Sequence, residues 1–186
     1  MPFSRREFLK SSLVLTGGVL LPRWAHALDG SEVDRLPDVV HATGGTARDM
    51  IQAAMADLGG IGNYVKPGYK VLINPNVGFP NPSEMATTTD PLAIAAVAEL
   101  CVEAGARSVV IADYPVRDPE LCFEQSGIAD LARMPGVDVT PLSARSPYTN
   151  TGIPGAAEVA EVDLATIVHE SDAVIAMPVA KCHSSA

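Results

Sequence analysis

The sequence predicts an α/β fold: a mainly parallel sheet with helices on both faces, a Rossmann-like three-layer arrangement. Three observations predict it. First, short continuous apolar runs recur at Val71-Leu72-Ile73, Val109-Val110-Ile111-Ala112 and Ala173-Val174-Ile175-Ala176-Met177, and runs of this length without alternation suit strands buried on both faces. Second, segments with helical periodicity separate the runs, so consecutive strands are joined by crossovers rather than hairpins. Third, aromatic residues make up only 5% of a chain rich in Ala, Val and Gly, which favours helices packed closely on a sheet over a β-sandwich.

The elements follow in order. Asp38 to Ala42 reads as a short strand, and Gly44-Gly45-Thr46 opens a helix through Leu58 whose apolar stripe is Met50, Ile51, Ala54, Met55 and Leu58. Gly59-Gly60 ends it, and Lys66-Pro67-Gly68 turns into a strand over Lys70 to Asn74. That strand stops at Asn74-Pro75-Asn76, since proline cannot continue a central ladder. A loop over Val77 to Thr89 leads to a helix over Pro91 to Ala104, with Asp90 or Thr89 as its N-cap and Pro91 in its first turn. Gly105 terminates it before a buried strand from Arg107 to Ala112. Asp118 to Arg133 predicts one or two short helices broken near Gly127, Val137 to Thr140 a strand, and Ser143 to Gly155 a loop rich in Pro, Ser and Gly. Leu164 to Glu170 reads as helix and Asp172 to Met177 as the last strand.

Ahead of this domain stands a leader. Ser4-Arg5-Arg6-Glu7-Phe8-Leu9-Lys10, an apolar run from Leu13 to Leu21 and Ala25-His26-Ala27 form the basic region, apolar region and small-x-small site of a signal peptide. The paired arginines followed by Phe8, Leu9 and Lys10 resemble the twin-arginine consensus, a route that carries folded proteins, often with a cofactor already inserted. We therefore expect residues 1–27 to be a twin-arginine signal peptide, 28–37 a linker and 38–186 the α/β domain, exported to the periplasm or secreted, with the twin-arginine translocase as partner during export. The apolar run is well short of the ~20 residues a spanning helix needs, so no stable membrane anchor is expected.

Without the leader, 9 basic and 21 acidic residues remain, a net charge of −12. Such a balance disfavours nucleic acid and anionic lipid as partners. The remaining 159 residues suit one domain with a sizeable core. Cys101, Cys122 and Cys182 form no C-x-x-C pair, so the spacing gives no cluster or zinc motif. Cys101 falls among Val97, Leu100 and Ala104 at helical spacing and reads most simply as core.

Ligands of open α/β sheets bind beyond the carboxyl ends of the strands. That rule selects Asn74, Pro75 and Asn76, then Asp113 and Tyr114, then Pro178 through His183. Thr87, Thr88 and Thr89 join them at a helix N-terminus, where free N–H groups attract anions. Each also has a plain structural role open to it: turn former, cap, or loop residue bonded to its own backbone. In Lys181-Cys182-His183, a thiol between a cation and an imidazole would have a lowered pKa, and thiolate and neutral imidazole both bind zinc or iron. Adjacent residues of an extended segment point to opposite sides, whereas Lys181 and His183 face together. This favours a polar site for an anionic ligand, or His183 as metal ligand or general base. His183 as a frayed chain end is the alternative.

Several of these segments, in order, carry a family resemblance. Tyr64-Val65-Lys66-Pro67-Gly68, Val71-Leu72-Ile73-Asn74-Pro75-Asn76, Thr88-Thr89-Asp90-Pro91, Glu103-Ala104-Gly105-Ala106 before Val109-Val110-Ile111-Ala112-Asp113, Ser126-Gly127-Ile128, and Ala173-Val174-Ile175 with Pro178 and Lys181-Cys182-His183 resemble the domain-of-unknown-function 362 (DUF362) family. The resemblance implies a protein that is exported or accompanied by ferredoxin-like modules, and it allows a metal or an iron–sulfur cluster as cofactor. Two departures stand out. Asn74 replaces a lysine frequent in the family, removing a cation from that strand end, and the family's Lys-x-His lies near mid-chain, whereas here three residues follow His183. We therefore expect the domain to be incomplete at its C-terminus, truncated after this motif.

Three readings of function follow. One is an exported, cofactor- or metal-dependent, oxidoreductase-like protein, with His183 and Asp113 as catalytic groups, His183 and Cys182 as metal ligands, and Asn74, Asn76, Thr88, Thr89 and Lys181 around the cofactor or an anion. The second is a periplasmic module that binds a small molecule or takes part in maturation without catalysis, since no nucleophile–base pair is evident and no Gly-x-Ser-x-Gly elbow occurs. The third is a non-functional fragment. Thr43-Gly44-Gly45-Thr46 lacks the three-glycine spacing of a dinucleotide site.

Overall fold

A computed structural model describes residues 36–181. The expected leader, nearly all of the linker, and Cys182 and His183 lie outside the described residues. Helix α1 (Ala47–Asp57) starts at a capping box: Thr46 Oγ1 accepts from the Asp49 N–H while the Asp49 carboxylate accepts from the Thr46 N–H. Its predicted stripe is the half-buried face, with residues 52, 53, 56 and 57 exposed. A single 3-10 turn at Ile61–Asn63 follows.

Strand β1 (Lys70–Pro75) is the axis of the molecule. It pairs in parallel with β2 (Ser108–Asp113) on one side and β6 (Ala173–Met177) on the other, and β3 (Val137–Pro141) extends the sheet beyond β2, giving the order β3-β2-β1-β6. Pro75 occupies the last position of β1, opposite Met177, where its missing N–H interrupts nothing further along the strand. Helix α2 (Pro91–Glu103) connects β1 to β2 and is capped by Asp90, whose carboxylate accepts from the Leu92 N–H. Gly105, at φ +87, ends it in the left-handed conformation, and its carbonyl accepts from the Gly68 N–H. Helix α3 (Pro119–Gln125) and a 3-10 segment at Ile128–Arg133, separated by Gly127, connect β2 to β3.

The two faces of the sheet are covered differently. Val71, Ile73, Val109, Ile111 and Val137 pack against Ile94, Val97, Ala98 and Cys101 of α2 and against Cys122, Phe123 and Ile128. Leu72, Val110 and Ala112 face the other way, beneath Leu142 and beneath Ile167 and Val168 of α4 (Thr166–Glu170). The period-two alternation of a strand puts residues 71 and 73 on one face and 72 and 74 on the other. Truncating a core side chain such as Ile111 to Ala would cost about 2–5 kcal/mol. Lys70 and Asp172 bond through both backbone and carboxylate and close the opposite end of the sheet, where the Lys70 ammonium also meets Glu170 at 2.7 Å.

Three local expectations are corrected. Asp38 to Ala42 forms no strand; Val39 is 83% exposed and the segment pairs with neither edge of the sheet. The loop expected over Ser143 to Gly155 contains β4 (Tyr148–Gly152), which pairs antiparallel with β5 (Glu161–Ala165) as a separate hairpin. The helix expected from Leu164 starts only at Thr166, because Glu161–Ala165 is committed to that hairpin. No helix among the described residues is long and apolar enough to cross a membrane.

Candidate functional site

The strand order locates the site. From β1 the chain moves to β2 and β3 on one side, then returns past β1 to β6 on the other, so connections diverge between β1 and β6. At such a switch point the loops lead away from each other and leave a crevice at the carboxyl ends of the strands. A cavity of about 250 Å³ lies there, walled by Asn74, Pro75 and Asn76 after β1, Asp113 at the end of β2, and Ala176 and Pro178 of β6 and its extension.

Hydrogen bonds fix its walls. The Asp113 carboxylate accepts from the Val77 N–H at 2.7 Å and from Asn74 Nδ2 at 3.3 Å, while Asn74 Nδ2 also donates to the Ala112 carbonyl at 2.9 Å. One carboxylate oxygen thus ties the end of β1 to β2 and the other holds the loop after β1. Thr89 Oγ1 accepts from the Asn76 N–H and donates to the Met177 carbonyl, joining the ends of β1 and β6. Lys181 Nζ donates to Asn76 Oδ1 and to the Thr87 carbonyl, which brings an exposed ammonium to the rim.

Asn74, Asn76, Asp113, Thr89 and Lys181 therefore come together as the strand-end rule anticipates. The anion site expected at the α2 N-terminus does not have the donors assumed for it. Pro91 has no N–H, Asp90 Oδ1 takes that of Leu92, and the Asp90 carbonyl takes those of Ala93 and Ile94. Thr88 is 2% exposed and its hydroxyl has no partner among the described residues. Cys182 and His183 lie outside the described residues, so their placement relative to the crevice is not part of this geometry.

The chemistry of the described donors does not fit a metal or an iron–sulfur cluster. No group of three or more His, Cys, Asp or Glu side chains among the described residues could hold a metal ion. Cys101 and Cys122 are fully buried, and burial pushes both thiols up, Cys101 to about 11, so neither is a ready thiolate.

A second, larger cavity of about 500 Å³ adjoins the first across Asn74 and Asp113. The β4–β5 hairpin forms its far side, contributing Tyr148, Asp163 and Leu164, and Tyr114 follows from β2. Sequence reasoning selected Tyr114 but missed Tyr148 and Asp163. The alternation Val162-Asp163-Leu164 was the faint strand signal that could have found the hairpin.

Comparison with known proteins places this geometry in a family. The chain is 42% identical over 57 residues to the thylakoid-associated protein sll1697 of Synechocystis sp., a stretch covering 31% of this chain and 18% of that protein. The chain thus matches less than a fifth of that relative's length. No solved structure matches it. The sequence pattern described as a domain of unknown function, DUF362, matches residues 71–186, from the first strand of the sheet through the crevice-forming segments, and the chain belongs to the DUF362 family.

Proposed function

We propose that this protein is an exported DUF362 member that binds a small ligand bearing an acidic group in the crevice between β1 and β6, and that it acts as a binding module. The observation that carries the reading is the coincidence of the topological switch point with a polar crevice whose rim holds the Lys181 ammonium. An ammonium has three donors, and two of those of Lys181 are spent on Asn76 Oδ1 and the Thr87 carbonyl. The third is available to an oxyanion. Position 74 is Asn, and Lys181 supplies a cation beside this strand end through its bond to Asn76.

The cofactor-dependent, oxidoreductase-like reading rests on the family resemblance and on folded export rather than on donors in the crevice. The Asp113 oxygens accept from Asn74 and from the Val77 N–H, contacts that support a positioning role for this carboxylate. Export by the twin-arginine route is supported by Arg5-Arg6 and the residues that follow.

The test is calorimetric titration of the natively exported protein with acetate, succinate and inorganic phosphate. Saturable binding of at least one, weakened about tenfold (~1.4 kcal/mol) by Lys181→Ala, is expected. Absence of saturable binding, or an unchanged affinity in that variant, would refute the reading. Elemental analysis and an absorption spectrum of the same preparation separate it from the cofactor reading: stoichiometric metal that disappears in His183→Ala would restore catalysis as the leading explanation.

A further inference from the structure

We propose that the larger cavity beneath the β4–β5 hairpin is a second, separate binding site, and that it takes a small organic cation of the ammonium class. This goes beyond the acidic-ligand reading and does not depend on it. At about 500 Å³ the cavity lies within the roughly 300–1,000 Å³ range of small-molecule sites. Its polar lining is two phenols, Tyr114 and Tyr148, two carboxylates, Asp113 and Asp163, and the Asn74 amide; no Lys, Arg or His lines it among the described residues.

Register explains how the hairpin presents this chemistry. Tyr148 pairs with Ala165 and Asn150 with Asp163. In an antiparallel pair, opposed residues share a face and alternate residues along each strand return to it. Tyr148, Asn150, Asp163 and Ala165 therefore share one face of the hairpin, and Tyr148, Asp163 and Ala165 of that face line the cavity together with the intervening Leu164. The Tyr148 hydroxyl donates to the Ser143 carbonyl at 3.1 Å, which anchors the ring. Burial, and then the neighbouring Tyr114, pushes the Tyr148 phenol up, so this ring stays neutral at ordinary pH.

The lining selects charge. Ionised carboxylates only accept hydrogen bonds, so the occupant must be rich in donors. Asp163 Oδ1 accepts from Asn150 Nδ2 at 3.1 Å, and its second oxygen remains for an occupant. Aromatic faces attract cations through the ring quadrupole, by about 0.5–1 kcal/mol at exposed sites and more when desolvated. An anion would meet two carboxylates with no cation in the lining, and a neutral alcohol would gain neither the charge term nor the ring term.

The experiment titrates the exported protein with n-butylammonium chloride, tetramethylammonium chloride and neutral n-butanol at constant ionic strength. Saturable binding of the ammonium probes, at least tenfold tighter than n-butanol, is expected, with a loss of about tenfold in Asp163→Asn and in Tyr148→Ala. Tyr148→Phe retains the ring and should retain binding, which separates loss of the ring from loss of the fold. Lys181→Ala should leave ammonium affinity unchanged while weakening oxyanion binding about tenfold, so the two sites fail independently. The proposal is overturned if neither ammonium probe saturates, if n-butanol binds as tightly, or if both Asp163→Asn and Tyr148→Ala leave affinity unchanged.

Discussion

The Thr89 hydroxyl donates to the carbonyl of Met177 at 2.6 Å, joining residues 88 positions apart in the chain. The same oxygen accepts from the Asn76 N–H at 2.9 Å, so one buried side chain ties the ends of β1 and β6 on either side of the crevice. Replacing it with the similarly shaped valine removes the hydroxyl and leaves a donor and an acceptor unpaired. Thr89→Val should cost about 1–3 kcal/mol, read as a lower urea midpoint. Amide exchange should accelerate in β6 more than in β3.

Asp113→Ala should destabilise by a similar amount, about 1–3 kcal/mol, because the Val77 N–H loses its carboxylate partner. Its distinctive signature is local. Exchange protection should fall at Val77, and also at Val116, whose N–H bonds to the Gly78 carbonyl of the same loop. An Asp113→Asn variant keeps an acceptor for Val77 and should recover part of the loss. A midpoint unchanged in Asp113→Ala would show that the carboxylate does not hold the loop.

The α1 capping box predicts an acid-sensitive helix. Hydrogen bonds from the Thr46 backbone and then its hydroxyl hold the Asp49 carboxyl below its ordinary value of 3.8. The unfolded chain therefore takes up the proton first as pH falls. Stability from the box is complete above the unfolded value and is lost as pH drops through the lower folded one. Asp49→Asn should flatten this part of the acid limb in pH-dependent melts. Thr46→Ala should cost about 1 kcal/mol at neutral pH.

The buried Cys101 thiol predicts an alkaline limb of the opposite sign. Desolvation raises it from 9.0 to about 11, so between those values the unfolded chain loses its proton while the folded one keeps it. Stability should fall as pH rises through that window, and Cys101→Ala should remove this part of the slope. In a Cys182→Ser background a thiol reagent at pH 8 should label neither Cys101 nor Cys122 until the protein is unfolded. Rapid labelling of the folded protein would contradict the packing.

What could be read from the chain followed from where burial dominates. β1, β2 and α2 are bounded by Lys70, Pro75, Asp90-Pro91 and Gly105, and between these limits apolar side chains fill both faces of the sheet. Pattern and structure coincide there because solvent exclusion imposes the pattern. The β4–β5 hairpin was missed for the converse reason. Thr149, Asn150, Glu161 and Asp163 are exposed, and its ladder is held by backbone bonds that leave little trace in side-chain hydropathy. Val39 misled in the other direction, an apolar residue in a β-prone run with no strand beside it. At the site, Asn74, Asn76, Asp113 and Lys181 were reachable by the strand-end rule alone. The capped state of α2 was not, because Asp90 could be recognised as a cap without revealing that it also uses up the donors an anion would need.

Asn74 and Asp113 belong to both cavities, a partition with an occupant's space on each side. The two chambers are therefore not free to adapt separately. If a guest in one draws the Asn74 amide toward itself, the wall recedes from the other, and any resulting change in affinity must be equal in both directions. If both cavities are occupied as proposed, a substitution at position 74 is read by two ligands at once, and the residue is constrained by the sum of two fits rather than by either one.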